Sequence, residues 1–194
     1  MKRLTLTVAV LLLTACATPQ VPRDHFYRLA VNPPQSTAAP WLAGTVEVAR
    51  VRADGMVADR PLNWAAADSP HEVQAYHYHQ WVAPPPQLLQ DALVSYLRGA
   101  GVAERVVTPE LRVASDYVVV GRLRRLELVT GPAPAVAVDL ELGLRGSNPD
   151  RVLLLRDYRE TRAAADASVG AAVQALSAAV DALFARFVAD LPRR

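Results

Sequence analysis

The chain contains one cysteine, Cys16, and the residues before it decide what that thiol does. Leu13-Thr14-Ala15-Cys16 is a lipobox, the signal at which a leader is cut away and the cysteine is acylated. Met1, Lys2 and Arg3 supply the positive start of that leader and Leu4 to Leu13 its apolar run. About ten apolar residues are too few to span a bilayer, which takes roughly twenty. No later segment reads as long enough either, so the expected attachment is a lipid on Cys16 and not a transmembrane helix. A lone thiol in an oxidising compartment has no intramolecular disulfide partner, and a thioether-linked lipid removes it. One acyl chain anchors only marginally, at about 0.8 kcal/mol per buried CH₂, so durable attachment calls for the multiple acylation of bacterial lipoproteins.

The remaining reactive residue types form no constellation. His77 and His79 stand two apart on a predicted strand, which puts both imidazoles on one face, the start of a metal site. No third ligand lies near in sequence, so a polar and aromatic strand face is the expected reading. Asp139 and Glu141 mimic a carboxylate pair, but they alternate with five apolar residues and read as the solvent side of a half-buried strand. There is no Gly-x-Ser-x-Gly elbow, no glycine-rich loop followed by lysine, and no lysine after Lys2. Phosphate cradling and Schiff-base chemistry are therefore excluded at the level of motif, and no catalytic residue, metal or cofactor is expected.

Charge narrows the partners. Cleavage before Cys16 takes Lys2 and Arg3 away, so the 21 basic residues become 19, against 19 acidic ones. A neutral chain has no long-range field to gather polyanions, and nucleic acid is excluded as a partner. The densest basic spot, Arg122, Arg124 and Arg125, reads as a solvated strand face.

The elements that would position these residues follow from periodicity. Residues 1–15 are the signal peptide, 16–24 the lipidated cysteine and a proline-containing tether, and 25–194 a single domain. Strands are predicted at His25 to Leu29, Thr45 to Arg52, Leu62 to Trp64, Glu72 to Val82, Arg105 to Thr108 and Asp116 to Val129. The phase of alternation shifts at Arg124-Arg125, which predicts a β-bulge. Val136 to Leu144 and Arg151 to Arg159 form a hairpin around the turn cluster at Gly146 to Asp150. Pro84-Pro85-Pro86 opens a helix with Leu88, Leu89, Ala92, Leu93, Tyr96 and Leu97 on one face, ended by Gly99 and Gly101. A long amphipathic helix runs from Ser168, its predicted N-cap, to Leu191. Its alanine-rich remainder offers a small-residue face to another element or subunit. The resulting class is α/β, a mixed, partly antiparallel sheet covered by two main helices.

Several short motifs in order carry a resemblance: the lipobox, Phe26-Tyr27-Arg28-Leu29, Val46 to Val51, Asp59-Arg60-Pro61, Trp81-Val82-Ala83-Pro84-Pro85 running into a helix, Asp116-Tyr117, and the terminal helix. The chain resembles the ABC-type transport auxiliary lipoprotein family. That resemblance implies a non-enzymatic role beside an ABC transporter whose periplasmic part is a mammalian-cell-entry-type protein, moving lipids across a Gram-negative envelope. It also implies self-association into a ring. Members often carry arginine before the Trp of the Trp-x-x-Pro run, where Gln80 stands here, so any role of that arginine does not transfer. By analogy with lipoprotein sorting, Ala17 favours the outer membrane. Within this reading Tyr27, Tyr76, Tyr78 and Trp81 are candidates for docking the transporter, against an alternative of ordinary core. A second reading has the domain itself hold lipid in an apolar pocket between sheet and helix. A third, an envelope hydrolase, lacks its nucleophile motif.

Overall fold

The computed structural model describes residues 22–147 and 150–193; the predicted signal peptide, Cys16, the first part of the predicted tether, residues 148–149 and Arg194 lie outside the described residues. In chain order the elements are β1 (His25–Tyr27), β2 (Leu42–Val48), β3 (Arg52–Ala53), β4 (Pro61–Ala66), β5 (Ser69–Trp81), α1 (Pro85–Gly99), β6 (Ala103–Val107), β7 (Tyr117–Thr130), β8 (Ala135–Ser147), β9 (Asp150–Ala163) and α2 (Val169–Asp190). Short 3₁₀ turns fill Gly55–Ala58 and Pro109–Leu111. The class is the one the periodicity predicts.

β7 organises a nine-stranded mixed sheet. One of its edges pairs along nearly its whole length with β8, which pairs in turn with β9, both antiparallel. The other edge is shared end to end by three short parallel strands: β2 at Tyr117 to Val119, β3 at Arg122 to Leu123, and β4 at Glu127 to Thr130. β6 then extends β2, while β5 and β1 extend β4, so the sheet forks on that side. The single strand predicted over Thr45 to Arg52 is in fact two. After Ala49, whose N–H donates to the Val119 carbonyl at 2.9 Å, the chain leaves β7 and returns at Arg52. The detour buries Val51, which is 2% exposed, in the core.

Both helices cover one face of the sheet. α1 starts on prolines, which lack the N–H that a first turn leaves unpaired anyway. It is fixed in its second turn by Gln90 Nε2 donating to the Val48 carbonyl at 2.9 Å and in its last by Arg98 donating twice to the Val106 carbonyl at 2.9 and 2.7 Å. α2 begins at Ser168, whose hydroxyl accepts from the Ala171 N–H at 3.1 Å, the cap that the sequence predicts. Leu176, Val180, Leu183, Phe184 and Phe187 are wholly buried. At 22 residues and a mean hydropathy of 1.5, α2 is long and apolar enough to cross a membrane, which corrects the expectation that no later segment is. It packs instead on β8 and β9, with more than half of its apolar window buried.

Part of the small-residue face of α2 is buried within the chain, at Ala172, Ala175 and Ala179, while Ala185 and Ala189 stay exposed. The segment after β1 crosses both helices: the Ala30 N–H donates to Ser177 Oγ at 3.2 Å, the Asn32 N–H to Asp181 Oδ1 at 3.0 Å, and the Ser36 N–H to the Gly99 carbonyl at 2.8 Å. A Cβ on Gly99 would stand 2.3 Å from the Pro34 carbonyl oxygen, so glycine there is what lets this strap reach the end of α1.

Candidate functional site

The helix-free face of the sheet carries the charge. Between Leu123 and Arg125 the β7–β8 register shifts, the predicted bulge. The extra residue lets Leu123 and Leu126 both face the helices while Arg124 and Arg125 both face away. Arg124 pairs with Glu141 and, at 2.7 Å, with Asp157; Arg159 pairs with Asp139 at 2.8 Å; Arg125 pairs with Glu127 at 2.7 Å. Asp139 and Glu141 are thus members of an ion-pair lattice spanning three strands. The basic spot noticed in the sequence is largely neutralised, with Arg122 paired to Asp54 at 2.9 Å.

One stretch of this face is apolar and open. Val120 pairs in register with Gly143 and Gly143 with Leu155, and Val152 lies one row further on beside Arg145. Val120 is 37% exposed, Leu155 56% and Val152 67%. A Cβ on Gly143 would come within 3.0 Å of Leu155 Cδ1 and 3.3 Å of Val120 Cγ2, so the glycine is the floor over which those side chains meet.

A second cluster lies around β1, on the other arm of the fork. β1 pairs with the last residues of β5, His25 opposite His79 and Tyr27 opposite Trp81. The His25 and His79 rings stack at 5.0 Å, Tyr27 Oη lies 2.8 Å from His79 Nδ1, and Tyr76 meets His79 edge-on at 5.2 Å. Burial and the neighbouring His25 hold the His79 imidazole below its usual range, while burial pushes the Tyr27 and Tyr76 phenols up. The sequence pairs His77 with His79; the structure separates them. Pro61 lies opposite Gln80 but Asn63 opposite Ala75, so extra β5 residues break the two-residue period. His77 is left exposed beside Tyr78, and His79 joins Tyr76 and His25. A long-range partner such as His25 is invisible to spacing. Among the described residues no group of three or more His, Cys, Asp or Glu is placed to hold a metal.

The docking candidates divide by burial. Tyr78 is 43% exposed, Tyr27 and Tyr76 are half-buried, and Trp81 is 1% exposed. Trp81 is core, a correction to its candidacy: its backbone N–H donates to the Arg60 carbonyl at 2.7 Å and its carbonyl accepts from Arg60 Nε at 3.0 Å. Arg60 also covers the Phe26 ring at 5.4 Å, so this arginine, to which residue spacing assigns no role, ties β1, β4 and β5 together. The Asp116-Tyr117 motif is likewise structural. Asp116 Oδ2 accepts from the Thr45 N–H at 2.8 Å, and a Cβ on Gly44, at φ +88°, would collide with that oxygen at 2.1 Å. Cys16 lies outside the described residues.

Against known proteins, the model of the ABC-type transport auxiliary lipoprotein component family matches residues 27–188. A solved structure from Xanthomonas campestris, described as a member of the DUF330 family, superposes with a TM-score of 0.73 at 23% identity, over 84% of this chain and 92% of its own. Another, titled as an uncharacterized protein, superposes at 0.68 with 14% identity, over 87% and 99%. Both likenesses are of fold. No curated protein matches the chain.

Proposed function

The chain belongs to the ABC-type transport auxiliary lipoprotein component family, and from that premise we propose that it is the lipid-anchored accessory of a transporter whose periplasmic part is a mammalian-cell-entry-type protein, moving lipids across a Gram-negative envelope. The family match over residues 27–188 carries this reading. Cys16 holds the protein by its acyl chains, more readily on the outer than on the inner membrane, and the domain stands on a tether whose last residues enter β1. Tyr78, with Tyr27 and Tyr76 beside it, is the aromatic surface offered to the transporter. Self-association has a physical route: the outer edge of β9 pairs with no strand among the described residues, and an open edge of that length is a template for another chain. Lipid storage in the domain itself finds less support, since side chains at 0% exposure, Leu176, Val180, Leu183, Phe184 and Phe187 on α2 and Val136, Leu140 and Leu142 on β8, fill the layer between helix and sheet.

The test uses the intact lipoprotein. Captured from membranes by an affinity tag, it should bring down the periplasmic transporter protein and its ATPase complex, and a Cys16→Ser form should fold yet fail to restore transport in a deletion strain. Full complementation by that unanchored form would refute the anchored-accessory role.

A further inference from the structure

Where the chain leaves β7 between Ala49 and Arg52, a cleft of about 1030 Å³ opens between the two arms of the fork. Its walls are residues 49–54, the start of α1 at Pro84, Pro86 and Gln87, and the middle of β7 at Val120 to Arg122. Three arginines line it, Arg50, Arg52 and Arg122, against two carboxylates, Asp54 and Glu141. Glu141 is already held by Arg124, and Asp54 has one oxygen on Arg122. Arg50 and Arg52 form no ion pair within 4.0 Å among the described residues, although Arg50 contributes, after Thr108, to holding the Glu110 carboxyl below its usual range. The cleft lining is therefore locally basic, three arginines against two carboxylates, in a chain whose residues from Cys16 onward carry 19 basic and 19 acidic groups.

We propose that this cleft binds an acidic peptide segment, its carboxylates held by Arg50, Arg52 and Arg122 and its backbone lying along the gap in the β2–β3 edge. Guanidinium forks suit carboxylates because two parallel N–H donors meet two oxygens, and arginine clusters are a recurrent solution to acidic-motif recognition. The volume stands at the upper end of ligand clefts, roughly 300 to 1,000 Å³. Charged and apolar groups interleave on its walls: Arg50 and Arg52 alternate with Ala49, Val51 and Ala53, and Val120 stands two residues from Arg122. That pattern fits a chain of alternating side chains. Acyl tails would need a continuous apolar lining, which these walls lack. The site does not depend on which transporter the protein serves.

The probe is a fluorescein-labelled peptide of six glutamates, titrated by anisotropy against the full lipoprotein in a neutral detergent at low salt. Binding should saturate and weaken as salt is raised. Replacing Arg50, Arg52 and Arg122 together by alanine should weaken it by about tenfold or more, the loss of charge-assisted hydrogen bonds. Replacing Arg28, Arg151 and Arg162, three arginines that do not line the cleft, should leave binding unchanged. Arg52→Glu alone, at an exposed side chain, gives the same readout should the triple variant fold poorly. Equal weakening by both triples would overturn the site in favour of diffuse charge. So would displacement of the peptide by inorganic phosphate or by phosphatidylglycerol micelles at comparable concentration, which would mark a phosphate site. Absence of saturable binding would overturn it outright.

Discussion

The two faces of one sheet obey different rules. On the helix side β8 presents Val136, Val138, Leu140 and Leu142 at 2% exposure or less, and α2 fills the space above them with whole side chains. On the other side the same strand presents Asp139, Gly143 and Glu141, tied into ion pairs or left beneath a thin apolar patch. Close packing leaves the first face no freedom to change shape or charge without loss of stability. The second is held by pairs that water and salt weaken, so its composition is open to selection by a partner. The weakly held face is where recognition can be written.

The largest expected effect tests that contrast directly. Phe184, fully buried and edge-on to Tyr96 at 5.6 Å, should cost about 3–5 kcal/mol when replaced by alanine. Leu155, more than half exposed on the opposite face, should change stability by no more than about 0.5 kcal/mol. Urea unfolding of the detergent-solubilised lipoprotein measures both, and comparable losses would erase the distinction between the faces.

Arg124→Ala removes the pairs to Glu141 and Asp157 at once. Its side chain is 37% exposed, so the expected loss is only about 0.2–1 kcal/mol and should shrink as salt is raised. A loss of Phe184 size, insensitive to salt, would mean that the lattice is structural.

The smallest effect is confined to β1. The His79 imidazole, faced by His25 and Tyr27 from β1 and by Tyr76 on its own strand, is held below 6.5 by burial and by His25. The folded state therefore takes up a proton less readily than the unfolded chain. What the neutral ring contributes is complete above pH 6.5 and is lost as pH falls through the lowered value. Amide exchange at Phe26 and Tyr27, corrected for the intrinsic rate, should speed up on acidification to about pH 5 and lose that dependence in His79→Gln. The same acid response in His79→Gln would place its cause elsewhere.

Much of this was legible in the order of residues. The hairpin of β8 and β9, the bulge at Arg124, the proline entry to α1 and the Ser168 cap all follow from local rules, because each depends on neighbours within a few positions. The candidate surface was less legible. Trp81 belongs to the core because β1 and Arg60 close over it, and His79 leaves His77 for His25 because β5 carries residues that β4 does not match. The cleft has no local signature at all: Arg50, Arg52 and Arg122 converge across some seventy residues of chain only because β2 and β3 share one edge of β7 and part between Ala49 and Arg52.

By itself, then, the sequence determined the lipobox motif at Cys16, the α/β class and the balance of 19 basic against 19 acidic residues from Cys16 onward, all properties of composition and short-range period. Tertiary structure decided which aromatics are surface, that the most apolar helix packs on a sheet, and where charge is left over. The physical reason is that burial and residual charge belong to pairs of distant segments: a side chain's period says which way it points, and only the partner across the gap says what it meets.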